Sequence, residues 1–296
     1  MSDMQNIDVV YDCLVGDGII HGAKATYLGT PTQKMCRFCG KTDAEVAFRK
    51  IAHVFPQSIG NNPLRSNYEC DICNKFFGDT LEDCFAKYFM HLNTLAFVKG
   101  EKKVPTYKSK DGNMRVEAKT IENTIYVNSK KGSDYFVYNE VDQTIKITFD
   151  TQPFVPVAVF KCLVKMALSI MPEKYLNKYA DATAWLMEKE HRNFYDCGRK
   201  LMMKFALLTS RHFTDVPIIY GLYKSIGAQG YSPDMMFYVS WGQVYCMIEV
   251  PLQENNRCFE VSDMPVIAVP VGLIQKSNCV DLSASSLLGK AEVEQC

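Results

Sequence analysis

Cys36-Arg-Phe-Cys39 and Cys70-Asp-Ile-Cys73 are two C-x2-C pairs, separated by residues 40–69. Two residues between cysteines let both thiolates face one ion, and two such pairs complete the tetrahedral sulfur shell of a structural zinc site. Gly40 directly follows the first pair, where a tight turn is expected. The sequence therefore predicts that these four cysteines bind one Zn²⁺, which contributes folding energy rather than chemistry.

The chain between and after the cysteine pairs predicts two short strands and a helix. Apolar residues flank His53 on a strand-like run, and Pro56 ends this run because proline cannot donate a hydrogen bond to a sheet. Gly60 begins a short stretch of residues that favour turns. Asn74 directly follows the second cysteine pair. Residues 74–89 then repeat large apolar side chains every three or four positions, which is typical of an amphipathic helix.

In this order the motifs C-x2-C, Ala-His-x2-Pro-x3-Gly and C-x2-C-Asn resemble the HNH endonuclease family, over about residues 35–88. The resemblance implies a ββα-metal nuclease that cuts nucleic acid with a divalent metal. We expect DNA as the substrate ahead of RNA, and the choice between the two stays open. The resemblance also implies that His53 is the general base for the attacking water, and that Asn74 is an oxygen ligand of the catalytic metal. Asn67 would hold the base or its strand in position. An oxygen-rich, solvent-open site suits Mg²⁺, with Mn²⁺ as a substitute.

Two departures from the family pattern leave an alternative open. Ala52 stands where many members carry an acidic or histidine ligand, and Gly78 stands four residues after Asn74, where a second helix ligand is often a histidine. Glu82, two turns past Asn74, is then the candidate for a further ligand of the catalytic metal, with a solvated surface charge as its other interpretation. The alternative function is a catalytically weak or inactive zinc finger that binds nucleic acid or a partner, or a regulated subunit.

The charge composition places any attraction for nucleic acid in local patches. Lys and Arg together number 33, as do Asp and Glu, so there is no global positive field. A basic stretch with Tyr107 among its residues is a candidate phosphate contact, and a solvated loop is its alternative interpretation. The basic residues of this stretch are Lys99, Lys102, Lys103, Lys108, Lys110, Arg115 and Lys119. Arg49, Lys50, Arg65 and Lys75 are expected around the active site.

The remaining sequence predicts an α+β fold. Residues 113–150 alternate polar and apolar positions as an antiparallel meander does, and residues 157–171 form an apolar stretch typical of a buried helix. Further helices are expected at 175–189 and 194–208, and strands at 216–226, 235–251 and 265–271. We predict a zinc-stapled HNH nuclease domain at 1–112, an α+β companion domain for targeting or sensing at 113–276, and a flexible C-terminal tail at 277–296.

The sequence also indicates where the protein works. No apolar run reaches the length of a membrane span, and the first residues lack the order of a signal peptide, so we expect a cytoplasmic protein with no membrane partner. In a reducing compartment its twelve cysteines are expected to be free thiols or metal ligands. Two-domain HNH proteins resemble prokaryotic anti-phage or restriction effectors, which implies that setting here. A homo-oligomer and a partner protein both stay open.

Overall fold

The computed structural model describes residues 11–19, 22–208, 218–226, 233–253, 274–286 and 293–295. Within these ranges the chain is a mixed α+β structure with one seven-stranded sheet, two three-stranded sheets and one two-stranded sheet. The strands are β1 (Tyr11–Ile19), β2 (Thr26–Leu28), β3 (Ala52–His53), β4 (Leu64–Ser66), β5 (Tyr107–Lys108), β6 (Met114–Lys119), β7 (Thr124–Ser129), β8 (Phe136–Asn139), β9 (Thr144–Ile147), β10 (Met202–Leu208), β11 (Ile218–Ser225), β12 (Met235–Trp241), β13 (Val244–Glu249), β14 (Ile274–Asp281) and β15 (Val293–Gln295). The helices are α1 (Asp71–Phe77), α2 (Asp83–Leu95), α3 (Pro156–Ile170), α4 (Glu173–Leu176) and α5 (Ala180–Leu186).

The seven-stranded sheet contains the first and the last strands of the described residues, at its two opposite edges. Its order is β1-β11-β12-β13-β10-β14-β15, and all its pairings are antiparallel. Strand β1, which the sequence analysis did not predict, pairs with β11 from Tyr11 opposite Ser225 to Ile19 opposite Ile218. Strand β14 includes residues 277–281, the start of the predicted tail, and pairs with β10. The predicted division into domains stays a prediction.

Helix α3 confirms the buried helix expected from the apolar stretch. Every one of its residues from Pro156 to Ile170 is buried. Proline is favoured at the first helical position because its fixed φ suits the helix and its missing N–H would have no partner there. Pro172 follows the end of the helix and cannot continue it. The helix packs against α2, the turn before α2 and strand β12, so it lies between the segment of the two cysteine pairs and the large sheet.

Several expectations for the second half of the chain are confirmed, and one is wrong. The meander forms as the antiparallel pairs β6–β7 and β8–β9, which belong to separate sheets. The strands at 216–226 and 235–251 are confirmed as β11 and as the hairpin β12–β13. The helix expected at 194–208 is wrong, because residues 202–208 form β10 between β13 and β14. A short apolar run buried in a central strand has no periodicity that separates it from a helix. The strand expected at 265–271 lies outside the described residues.

One hydrophobic core joins the segment of the two cysteine pairs to the large sheet. Phe55 packs against Tyr220 with the two rings tilted and 4.7 Å between their centroids, and Phe89 lies edge-on to Trp241 at 4.9 Å. Gly242, in the turn after β12, has a φ of 53°, and a Cβ at this position would come within 2.7 Å of the Val98 side chain. This close approach requires glycine. The segment that carries the motifs is thus packed into the body of the protein. No helix among the described residues has the length and apolarity that crossing a membrane demands.

Candidate active site

The four cysteines of the two C-x2-C pairs meet at one point. Their Sγ atoms all lie within 4.8 Å of one another, and those of Cys39 and Cys70 are 3.8 Å apart. A tetrahedral zinc ion with Zn–S bonds of about 2.3 Å requires sulfurs about 3.8 Å apart, so the donor set fits Zn²⁺. Cys36, Cys70 and Cys73 are buried, as a closed structural site requires. The predicted convergence of the cysteines is confirmed.

Local backbone geometry brings each pair into position. The Gly40 N–H donates to the Cys36 carbonyl at 2.8 Å, and Gly40 has a φ of 71°, which glycine adopts without strain. Cys70 precedes α1, and Cys73 lies in the first turn of that helix. The hydrogen bond between the Cys73 and Cys36 side chains lowers the pKa of Cys36, in spite of burial. The pKa of Cys73 is raised by the same interaction. Among the other cysteines Cys279 is disulfide-bonded, contrary to the expectation of free thiols or metal ligands.

His53 ends the short strand β3, which pairs with β4 so that His53 lies opposite Arg65. The side chain is partly buried, and its imidazole makes no hydrogen bond to the described residues. Burial, with smaller contributions from the positive charges of Arg65 and Lys165, lowers the pKa of His53 to about 4. The imidazole is therefore neutral at neutral pH and has a lone pair with which to accept a proton.

Asn74 and Asn67 brace the strands around His53. Asn74 lies on α1, and its Nδ2 donates to the Ile51 carbonyl at 3.2 Å, two residues before His53 in the chain. The Asn74 Oδ1 accepts no hydrogen bond from the described residues. Asn67 follows β4 and is buried, and its Nδ2 donates to the Gly29 carbonyl at 3.2 Å. The element order around these residues is two short antiparallel strands, β3 and β4, and then helix α1.

The comparison with known families agrees with this geometry. Residues 36–90 match the family described as HNH endonuclease. This segment belongs to the HNH endonuclease family. The match covers both cysteine pairs, strands β3 and β4, α1 and most of α2. No curated protein and no solved structure matches the chain.

The helix of the HNH segment contains an irregular turn. The sequence analysis predicted one helix over residues 74–89, and the structure has α1 and α2 joined by a π-helical turn at Gly78–Glu82. The turn points Glu82 inward, where its Oε1 lies 3.2 Å from the Nζ of Lys165 on α3. Glu69, which directly precedes Cys70, approaches the same Nζ through its Oε2 at 3.2 Å. Glu82, the candidate metal ligand, is thus also a partner in a buried ion-pair cluster.

Lys165 is charged in this cluster. Burial alone would lower its pKa, but Glu69 and Glu82 outweigh burial and raise the pKa above its usual value. For Glu69 burial is the largest influence, and it raises the pKa of the carboxyl group to about 7. The same Lys165 Nζ donates to the backbone carbonyl of His53 at 2.8 Å. A residue outside the HNH segment therefore contacts the strand that carries the histidine.

Arg37, inside the first cysteine pair, is a second contact between the HNH segment and α3. Its Nη1 donates to the carbonyls of Leu168, Ser169 and Met171, at 2.7, 2.8 and 3.0 Å. The carbonyls in the last turn of a helix have no partner within the helix, and a cation there is favoured by the helix dipole. The guanidinium also stacks on the ring of Tyr68, 4.1 Å from its centroid.

The basic residues near the site are at the surface, and one aromatic expectation is wrong. All seven basic residues of the stretch 99–119 are exposed, as are Arg49, Lys50 and Lys75, whereas Arg65 is partly buried and donates to the Tyr27 hydroxyl. Tyr107 cannot stack on a base, because it is only 2% exposed and its hydroxyl donates to the Asp150 carbonyl. Tyr107 belongs to the small core beneath β5 and β6.

Lys165 and Arg37 belong to the surroundings of the site but were not predicted from the sequence. A signal was present for Lys165, since a lysine inside a nearly continuous apolar helix needs a buried partner. Its partners at residues 53, 69 and 82 are far away in the chain, however, so the sequence did not identify them. For Arg37 the sequence contains no signal of its contacts beyond its place between Cys36 and Cys39.

Proposed function

We propose that this chain is a metal-dependent HNH endonuclease that hydrolyses phosphodiester bonds, with DNA as its substrate. The observation that carries the proposal is the state of His53. Its imidazole has a depressed pKa and no hydrogen-bond partner among the described residues, and its strand is framed by the four-cysteine cluster and braced by Asn74. A neutral imidazole with an unused nitrogen in an HNH segment is suited to act as a general base.

In the proposed reaction, His53 accepts a proton from the attacking water through an imidazole nitrogen. Arg65, opposite His53 on β4, adds positive charge next to the base and helps keep it unprotonated before the reaction. Asn67 holds β4 to the chain at Gly29 and so keeps the strand pair in place. A divalent ion, when bound, supplies polarisation of the scissile phosphate and stabilisation of the leaving oxygen.

Asn74 is the first candidate to hold that ion. Because its Nδ2 donates to the Ile51 carbonyl, its Oδ1 is available as a hard oxygen ligand of the kind that Mg²⁺ or Mn²⁺ prefers. Glu82 is a weaker candidate than the sequence indicated, since one of its carboxylate oxygens is engaged by Lys165. Mg²⁺ usually keeps several waters and needs only one or two protein ligands, so this small donor set fits it.

The scarcity of ligands supports a second candidate function, a zinc-stapled module that binds nucleic acid or a partner without cutting. Ala52 is 1% exposed and offers no donor, and Gly78 lies in the π-helical turn. With Glu82 Oε1 paired to Lys165, Asn74 is the one predicted oxygen ligand that takes no part in the ion-pair cluster of the described residues. An anti-phage or restriction role, and regulation by a partner, stay predictions from the resemblance.

A plasmid-cleavage assay with Mg²⁺ or Mn²⁺ separates the two functions. The nuclease should nick or linearise plasmid DNA, and His53→Ala should abolish cleavage while zinc content and the unfolding midpoint are retained. His191→Ala is a matched control, because His191 is also partly buried and also has a lowered pKa caused by burial, but lies outside the HNH segment. It should retain activity.

Two results would contradict the nuclease proposal. Full activity of His53→Ala would remove the histidine from the mechanism. Metal-independent DNA binding without cleavage under either metal would favour the binding module. Parallel assays on single-stranded RNA and DNA test the proposed preference for DNA.

A further inference from the structure

A single lysine from outside the HNH segment reaches three separate parts of it. The Lys165 Nζ lies 2.8 Å from the His53 carbonyl, 3.2 Å from Glu82 Oε1 and 3.2 Å from Glu69 Oε2. These acceptors belong to strand β3, to the π-helical turn and to the residue before the second cysteine pair. The ammonium group donates hydrogen bonds to the His53 carbonyl and to Glu82, and its contact with Glu69 is an ion pair. The Lys165 side chain is 1% exposed.

Strand β3 is held by few other contacts, among them the bonds from Asn74 to the Ile51 carbonyl and from the Val54 N–H to the Leu64 carbonyl. It consists of two residues, and its pairing with β4 is limited to Ala52 opposite Ser66 and His53 opposite Arg65. A two-residue strand pair is too short to be stable without further contacts. The bond from Lys165 is charge-assisted and dry, and such bonds are stronger than neutral ones. It acts on the carbonyl of the histidine residue itself, so it constrains the backbone from which the imidazole projects.

A gain in folding stability does not account for the buried charges of Lys165, Glu69 and Glu82. Taking an ammonium and two carboxylates out of water is costly, and well-packed apolar residues of similar volume often stabilise a fold as well as such a cluster. What an apolar residue at position 165 would lack is a directed donor for the His53 carbonyl. Helix α3 is itself rigidly placed, since all its residues are buried and it packs against both α2 and β12.

We propose that Lys165 is a positioning residue for His53, which ties the orientation of the catalytic base to helix α3 and thereby to the large sheet. The inference rests on the proposed nuclease function. Lys165 does not touch the substrate in this proposal, and it acts through the backbone of β3. Because the lysine comes from outside the HNH segment, the segment alone would hold its histidine less precisely than the whole chain does.

The test compares two lysines of the same helix. Lys165→Met removes the donor and keeps an unbranched apolar side chain. Lys161→Met is the matched control, because Lys161 is equally buried on α3 but donates to the Glu188 carbonyl at 3.2 Å and lies over the Trp185 ring, outside the HNH segment. Single-turnover cleavage of a labelled DNA duplex is measured across substrate concentrations. Zinc content and urea unfolding are measured for each variant.

A positioning role predicts a lowered rate constant with unchanged substrate affinity. Misplacement of a catalytic group by about 1 Å can lower the rate by about 100-fold, so we expect Lys165→Met to lose about 10- to 100-fold in the rate constant. Its half-saturating DNA concentration should stay within about twofold, and Lys161→Met should stay within about twofold in both quantities. Equal rates for the two variants, or a loss confined to DNA affinity, would overturn the inference while the nuclease function stands.

A second variant keeps the test informative if Lys165→Met does not fold, and a second measurement keeps it informative if the protein does not cut DNA. If Lys165→Met does not fold, Lys165→Met/Glu69→Gln removes the buried carboxylate together with its cation and still lacks the donor to His53. Hydrogen exchange of the amides in residues 52–54 needs no activity, and should be about tenfold faster in the Lys165 variant than in Lys161→Met. If the wild-type protein does not cut DNA, the proposed function fails, and unchanged exchange at these amides then refutes the role of Lys165 separately.

Discussion

Replacing Arg37 by methionine should destabilise the protein at the contact between the first cysteine pair and helix α3. The substitution removes the guanidinium that donates to the carbonyls of Leu168, Ser169 and Met171. All three of these residues are at most 3% exposed, so their carbonyls would have restricted access to water. The unbranched methionine side chain replaces part of the apolar stem of arginine but none of its donors.

The size of the effect follows from these contacts. Hydrogen bonds from a charged donor contribute about 1.5–3 kcal/mol, and stacking of a cation on an aromatic ring at a partly exposed site adds about 0.5–1 kcal/mol. We therefore expect Arg37→Met to lower the free energy of unfolding by about 2–4 kcal/mol. The backbone of the cysteine pair should be unaffected, because the bond from the Arg37 N–H to the Tyr68 carbonyl, 2.7 Å long, is retained.

Urea unfolding at saturating zinc measures this effect, with Arg49→Met as the control. Arg49 is exposed, and an exposed substitution of this kind is expected to change stability by less than about 0.5 kcal/mol. The zinc content of Arg37→Met should equal that of the wild type. A change in stability no larger than that of the control, or a loss of zinc from the folded variant, would refute the assignment of Arg37 to the end of α3.

Three further predictions concern the metal, the base and the core. Metal analysis should find about one tightly bound zinc per chain, and Cys73→Ser should lose it and unfold at lower urea concentration, because zinc binding contributes directly to folding. The pKa of His53 is lowered to about 4, and a general base works only when it is deprotonated. As the pH is lowered, kcat/KM should therefore fall around pH 4 rather than near 6.5. A fall near pH 6.5 would contradict this prediction. Asn93 bridges the two halves of the core, since its Nδ2 donates to the Ser58 carbonyl and its Oδ1 accepts from the Trp241 indole. Asn93→Ala should lower the free energy of unfolding by about 1–3 kcal/mol, measured by thermal or urea unfolding. An unchanged free energy of unfolding would mean that the bridge is dispensable.

Local spacing made the convergence of the four cysteines predictable from the sequence. In each C-x2-C pair a short turn sets the positions of both sulfur atoms. A metal ion then has to bring together only two such turns. The strand of His53, the helix of Asn74 and the buried helix α3 were predictable for the same reason, since each depends on neighbours within a few residues. Contacts between distant residues were not predictable. The cluster around Lys165 joins residues 53, 69, 82 and 165, and no local pattern relates these positions.

Two errors show how burial overrides local patterns. Residues 202–208 read as a helix because apolar side chains occupy nearly every position, and a strand with neighbours on both edges and cover on both faces has that composition too. Tyr107 read as a nucleic-acid contact because lysines surround it in the sequence. In the structure the neighbouring lysines point outward while Tyr107 alternates inward on β5, as side chains do along a strand.

The pairing of β1 with β11 has a consequence for synthesis of the chain. Ribosomes add about 5–20 residues per second, so the roughly 200 residues between these strands delay completion of the pair by about 10–40 s after β1 has emerged. During this interval the four cysteines of the HNH segment emerge from the ribosome, and we expect them to be able to bind zinc from then on. The N-terminal strand, by contrast, waits with its backbone unpaired. A nascent chain of this protein is therefore expected to acquire its metal before it acquires the outer strand of its sheet.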